Sequence, residues 1–198
     1  MITPGIKDSD FIRGQVPMTK EEVRALSICK LRLSENPVVY DIGSGTGSVA
    51  VEIACLCKSG RVYAVETKPE ACQLIKQNIQ KFGVENVRLV EGMAPAALEG
   101  LEPATHAFVG GSKGQFTEIL ASLLKINPRM RVVVNAVSLE SISNIQSVLK
   151  AFAIENYECV QLAVSRSEKA GSYHLMKAEN PVYIFSFDLS GAAGGEKA

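Results

Sequence analysis

The sequence lacks an excess of either charge: 21 lysines and arginines face 21 aspartates and glutamates. No global field therefore draws the chain to nucleic acid or to an anionic membrane surface, and any anionic ligand must be met by local groups. Imidazole is scarce. His106 and His174 are the only histidines, and Cys55-x-Cys57 lacks the spacing of a zinc knuckle, so no metal site is expected. The five cysteines (Cys29, Cys55, Cys57, Cys72, Cys159) are an odd number without an export signal, which argues against a disulfide framework and for buried, inert thiols. Long apolar runs are missing too. Met1 to Asp10 carries charges and a proline where a secretory signal needs an unbroken apolar core, and no run approaches a membrane span. A cytoplasmic protein is the expectation.

What is present suits one α/β domain. The chain has 198 residues, 46% hydrophobic and 21% charged, enough for one substantial core. A single domain is expected over residues 1–190, with a disordered tail at 191–198. Val23, Leu26, Leu31 and Leu33 recur at helical spacing, and Thr19-Lys-Glu-Glu22 has the form of a capping box, so the domain opens on a helix. Strand-like runs then alternate with helical ones. The strands are 37–43, 61–66, 87–91, 106–109 and 129–137; the helices are 48–58, 69–82, 94–98, 114–126 and 140–152. Two further β-rich runs, 158–166 and 181–189, read as a closing hairpin. This order predicts a Rossmann-like, mostly parallel seven-stranded sheet with helices on both faces and an antiparallel C-terminal hairpin.

Asp41-Ile-Gly43-Ser44-Gly45-Thr46-Gly47 falls between the first strand of that sheet and the following helix, where such folds bind nucleotides. The glycines run G-x-G-x-G, unlike the dinucleotide fingerprint, and Asp41 would oppose a pyrophosphate at the helix terminus. A sulfonium nucleoside has no phosphate, and its ammonium group would welcome Asp41. Glu66 ends the second strand, where a carboxylate can accept from both ribose hydroxyls. A tight, ligand-free turn is the alternative for the glycines.

At this point the chain resembles a class I S-adenosylmethionine-dependent methyltransferase over nearly its whole length. Val16 to Arg24, Asp41 to Val49, Val90 to Leu98, Val109 to Ser112 and Val133 to Val137 together resemble the decarboxylating precorrin-6 C15-methyltransferases of cobalamin biosynthesis. The resemblance implies methylation of C15 of a corrinoid macrocycle, release of its C12 acetate carboxyl as carbon dioxide, S-adenosylmethionine as cofactor, and a homo-oligomer such as a tetramer. It places Thr19, the turn from Gly43 to Gly47, Glu66, Gly92, Met93 and Ala94 on the cofactor. It identifies no catalytic acid or base.

Gly110, Gly111 and Ser112 lack the acidic or amide residue, proline and aromatic residue common in methyltransferases acting on adenine or amide nitrogen. They open room for a macrocycle beside the sulfonium. Asn135 interrupts an apolar strand and needs a partner, in the core or in substrate. Arg13, Lys20, Lys113, Arg166 and Lys169 are the candidate cations for a polycarboxylate, with Arg166 retained as a substrate candidate. The residues leave open another small-molecule or RNA substrate, and a non-catalytic nucleotide-binding module.

Overall fold

The computed structural model describes residues 3–191. Most of the expected tail, 192–198, lies outside the described residues. The chain alternates helix and strand as α1 (Glu21–Leu31), β1 (Val38–Ile42), α2 (Ser48–Leu56), β2 (Arg61–Glu66), α3 (Pro69–Phe82), β3 (Val87–Glu91), β4 (His106–Val109), α4 (Phe116–Ile126), β5 (Arg131–Ala136) and α5 (Leu139–Leu149). Four β-strands follow: β6 (Ile154–Leu162), β7 (Ser165–Ala170), β8 (Tyr173–Ala178) and β9 (Val182–Leu189). The expected helix near Ala94 is a single 3-10 turn, Ala96–Leu98.

The sheet order is β3-β2-β1-β4-β5-β9-β6, parallel through β5 and antiparallel at β9 and β6. Successive units run outward on both sides of the β1–β4 boundary, which leaves a crevice at the carboxyl ends of these strands. Strand residues alternate between two cores, as a two-residue period requires. Tyr40, Val132 and Val134 pack under α4 and α5, while Val39 and Val133 pack under α1, α2 and α3. Pro69 starts α3 with its missing N–H in the first turn, and Gly83 ends it in the left-handed region at φ 59°. Between them α3 buries Ala71, Cys72 and Ile75. Ile75 alone is worth roughly 1.5–3 kcal/mol in apolar burial.

Three expectations need correction. The last two β runs do pair, but β9 inserts between β5 and β6, and their connection forms a separate antiparallel ribbon, β7–β8. Every residue of β8 is exposed, so the ribbon carries no alternation to betray it. The capping box does not form. Helix α1 begins at Glu21 with Lys20 as its N-cap, whose ammonium has no acceptor for the first N–H groups, and the Glu22 carboxylate pairs with Arg166 instead. Of the cysteines only Cys72 is buried; Cys29 and Cys159 are exposed and the other two half-buried.

Candidate active site

The crevice holds a cavity of about 830 Å³. It is bordered by the carboxyl ends of β1, β2, β4 and β5, by the first turn of α5, and by the segment preceding α1. Thr19, Gly43, Ser44, Gly45, Glu66, Gly92, Met93 and Ala94 all border it, as do Gly110, Gly111, Ser112 and Asn135. Among the described residues, no group of three or more His, Cys, Asp or Glu is placed to hold a metal ion.

The glycine turn is built for close approach. Gly43 has φ 73°, and a Cβ there would lie 2.7 and 2.8 Å from the backbone O and N of Gly111. The two loops that flank the crevice thus touch through glycine backbone. Gly45, at φ 60°, would bring a Cβ within 2.9 Å of the Pro17 carbonyl. Glu66 completes the same wall. Its Oε1 accepts from the backbone N–H groups of Thr67 (2.7 Å) and Lys68 (3.0 Å), and its Oε2 from Gly45 N–H (2.9 Å). Burial works to raise its pKa, but the backbone donors of Lys68, Gly45 and Thr67 prevail and hold the carboxyl below its ordinary value. Oε2 takes one protein donor and keeps a lone pair for a ligand hydroxyl.

Asp41, Thr46 and Gly47 do not border the cavity, contrary to their expected contact with the cofactor. Alternation along β1 turns Asp41 to the face of Val39, beneath α2, where it is fully buried. Its Oδ2 accepts from Ser44 Oγ (2.6 Å) and Ala50 N–H (3.1 Å), tying the turn to α2, while Oδ1 has no partner. Burial pushes its pKa up to about 7, against those two donors and with help from the Glu66 charge. Asp41 therefore presents no surface to the cavity. Thr46 is buried, its carbonyl accepting from Asn78 Nδ2 at 2.8 Å. Gly47, the N-cap of α2 at φ 79°, admits Ile75 of α3, whose Cγ1 would lie 3.1 Å from a Cβ.

Residues 5–20 form a strap beside the turn, held by side chains that sequence reasoning missed. Arg24 is fully buried. It donates from Nε to Glu52 (2.6 Å), from Nη1 to Asp8 (3.1 Å) and to the Thr19 carbonyl (2.6 Å), and from Nη2 to the Ile6 carbonyl. Glu52 also accepts from Gly5 N–H, and Asn78 both donates to and accepts from the Ile12 backbone. Arg24 thereby sets Thr19 by its backbone. The available signal was Glu52, the one charged residue in the apolar run of α2.

On the far wall, Asn135 lines the cavity and has a core partner as well, Ser27 of α1, at 3.0 and 3.1 Å. Arg166 departs from expectation. It does not border the cavity, and its guanidinium is taken by Glu22 and by Glu179 (3.1 Å), with Asp8 at 3.9 Å. Met93 (43% exposed) and Val137 (56%) line the cavity and give it an apolar margin.

A family model for the precorrin methyltransferase domain matches residues 10–188. The chain belongs to that family. A protein of Pyrobaculum calidifontis named probable cobalt-precorrin-6B C(15)-methyltransferase (decarboxylating) is 42% identical over 93% of this chain and 95% of its own length. The cobalt-precorrin-6B C(15)-methyltransferase (decarboxylating) of Salmonella typhimurium is 36% identical over 91% and 94%. Among solved structures, a precorrin-6y C5,15-methyltransferase from Geobacter metallireducens superimposes with a TM-score of 0.84 at 34% identity, covering 93% of this chain and 97% of that one. More distant neighbours, such as an S-adenosylmethionine-dependent O-methyltransferase of Thermotoga maritima at 14% identity, share the fold alone. The precorrin methyltransferase chain is thus a class I methyltransferase, and S-adenosylmethionine is its methyl donor. Its turn, its Glu66 carboxylate and its cavity fit that nucleoside: glycine backbone where side chains would intrude, and a carboxylate with a free lone pair.

Proposed function

We propose that this protein methylates C15 of a cobalt-precorrin-6B-type macrocycle and removes the carboxyl of its C12 acetate. The observation that carries this reading is a single large cavity shared by two unlike walls. A glycine turn with Glu66 forms one, and the small residues Gly110 to Ser112 with Asn135 and exposed Val137 form the other. Such a cavity accommodates a nucleoside and a flat conjugated ring together.

The donor, when bound, supplies a methyl group on a positively charged sulfur. The chain's residues bind and orient. Glu66 accepts from the ribose hydroxyls, Met93 and Ala94 border the adenine, and the turn from Gly43 to Gly45 leaves space for the methionine portion. Thr19 meets the cofactor from the strap that Arg24 holds. Gly110, Gly111, Ser112 and Asn135 face the macrocycle. Decarboxylation needs no further organic cofactor in this scheme, since the conjugated ring takes up the electron pair released with carbon dioxide. The protein then contributes mainly by holding the ring carbon against the methyl donor and the acetate where its carboxylate can leave.

A cytoplasmic location and a homotetramer belong to the same reading. Among the described residues no helix is long and apolar enough to cross a membrane. The β7–β8 ribbon, with Tyr173, Leu175 and Met176 at 60–73% exposure, offers the apolar surface for association. The experiment is isotopic: purified enzyme receives substrate labelled in the acetate carboxyl together with methyl-labelled donor. Labelled carbon dioxide and one labelled methyl carbon in the product are expected. Methylation with full retention of the carboxyl label would refute the coupled activity.

A further inference from the structure

A macrocycle bearing several carboxylates needs cations at its site, and the neutral total charge means that a few side chains must supply them. Four lysines and arginines were candidates besides Lys113, and the fold disposes of them unequally. Arg13 and Lys169 do not border the cavity. Arg166 is neutralised by Glu22, Glu179 and Asp8. Lys20 does border it but lies 3.9 Å from Asp8. Lys113, and with it Lys68, lines the cavity with no carboxylate within 4.0 Å among the described residues.

The backbone at Lys113 fixes where its side chain goes. Among the described residues, three other than glycine have a left-handed φ: Arg32 at 51°, Asn156 at 50° and Lys113 at 47°. Arg32 is the C-cap of α1, and Asn156 sits where the β6 register shifts between Glu155 and Glu158; both are local devices of helix and strand. Lys113 is a local device too: with Gly114 at φ 82° it forms the centre of a tight turn in the β4–α4 loop, closed by Gln115 N–H donating to the Ser112 carbonyl at 2.9 Å. That backbone sends the side chain from the Gly110–Ser112 wall across to the β2–α3 loop, where its ammonium donates to Thr67 Oγ1. A hydroxyl satisfies one of the three ammonium donors and none of the charge.

We propose that Lys113 binds a carboxylate of the macrocycle, with Lys68 as a weaker second cation on the same side of the cavity. This inference rests on the macrocyclic substrate argued above. The acidic edge of the substrate lies toward the β2–β4 side, and its apolar face toward Val137. Cofactor binding does not depend on Lys113, because Glu66 keeps its bonds from Thr67, Lys68 and Gly45 N–H when the lysine is gone.

The test compares Lys113→Gly, which removes the ammonium and suits the left-handed backbone, with Lys113→Arg, Lys68→Ala and the surface control Lys150→Ala. Steady-state kinetics use cobalt-precorrin-6B. Optical titration measures equilibrium binding of that substrate and of its fully esterified, uncharged form, and calorimetry measures cofactor affinity. Lys113→Gly is expected to raise KM about 10-fold, with kcat and cofactor affinity within about twofold and the KM effect shrinking as salt rises. Lys113→Arg should recover most of the loss, Lys68→Ala should raise KM about threefold, and Lys150→Ala should change nothing. The esterified substrate should bind wild type and Lys113→Gly alike. An unchanged KM in folded Lys113→Gly, or equal losses for charged and esterified forms, overturns the assignment. Should that variant fail to fold, Lys113→Asn, which tolerates the same φ, carries the same expectations. Absence of methyl transfer by wild type would sink the functional reading and this inference together; turnover with an unmoved KM sinks the inference alone.

Discussion

The two walls of the cavity are held to very different standards. On the side proposed for the cofactor Glu66 accepts from three backbone N–H groups, Asp41 pins the turn to α2, and a buried Arg24–Glu52 pair anchors the strap. On the side proposed for the substrate Gly111 has nothing within 4 Å of a would-be Cβ, and the first turn of α5 is exposed through Glu140 and Ser141. The difference matches the ligands proposed above. One wall must present fixed donors and acceptors to a single small nucleoside, and the other must admit a large rigid ring and let a different ring go. Rigidity is concentrated where orientation is required, and space where entry is required.

The sharpest way to break this contrast is to place the same side chain on each wall. Gly43→Val should cost several kcal/mol, roughly 2–5, because it combines a left-handed φ with overlap on the Gly111 backbone. A large drop in melting temperature and loss of cofactor binding are the expected readings; a folded variant with normal affinity would contradict the close approach of the loops. Glu66→Ala comes next, weakening cofactor binding by roughly 1–3 kcal/mol through lost charge-assisted hydrogen bonds, measured by calorimetric titration. Unchanged affinity in the folded protein would remove Glu66 from the cofactor site.

Asp41 separates the turn's construction from its ligand. Its raised pKa makes its contribution to stability fully present below about pH 4 and lost as pH rises through about 7, since the folded state holds the proton more tightly. Denaturant titrations should show a fall of roughly 2 kcal/mol from about pH 5 to about pH 8 that Asp41→Asn abolishes. A slope retained by the variant would assign the effect elsewhere. Glu66, whose pKa is lowered, acts in the opposite sense, lending stability that is lost as pH falls below the ordinary glutamate range. The smallest expected effect is that of Gly111→Val. Its φ is not left-handed and its Cβ meets open space, so folding and cofactor affinity should hold while KM for the macrocycle rises about 10-fold. Normal KM would move the substrate away from this loop.

The same contrast governs what could be foreseen. The glycine turn, Glu66 and the order of β and α units were legible because each rests on residues adjacent in sequence. The role of Asp41 was misjudged even though the signal was present: Tyr40 and Ile42 face one core, so the residue between them faces the other and lies beneath α2. Arg166 was misjudged for lack of any signal, since its partner Glu22 is 144 residues away. The same distance problem hid the strap, whose bonds join Arg24 to Glu52 and Ile12 to Asn78 across 28 and 66 residues.

By itself the sequence determined the parallel α/β architecture and the place of the glycine turn and of the carboxylate beside it, because hydrophobic period, glycine and strand ends are local properties. Only the tertiary structure decided that β9 enters between β5 and β6, that Arg24 fastens the strap, and which cations remain unpaired beside the cavity. Charge pairing and strand insertion are settled by which surfaces meet when the chain collapses, and a side chain's neighbours across a hundred residues leave no period in the sequence to read.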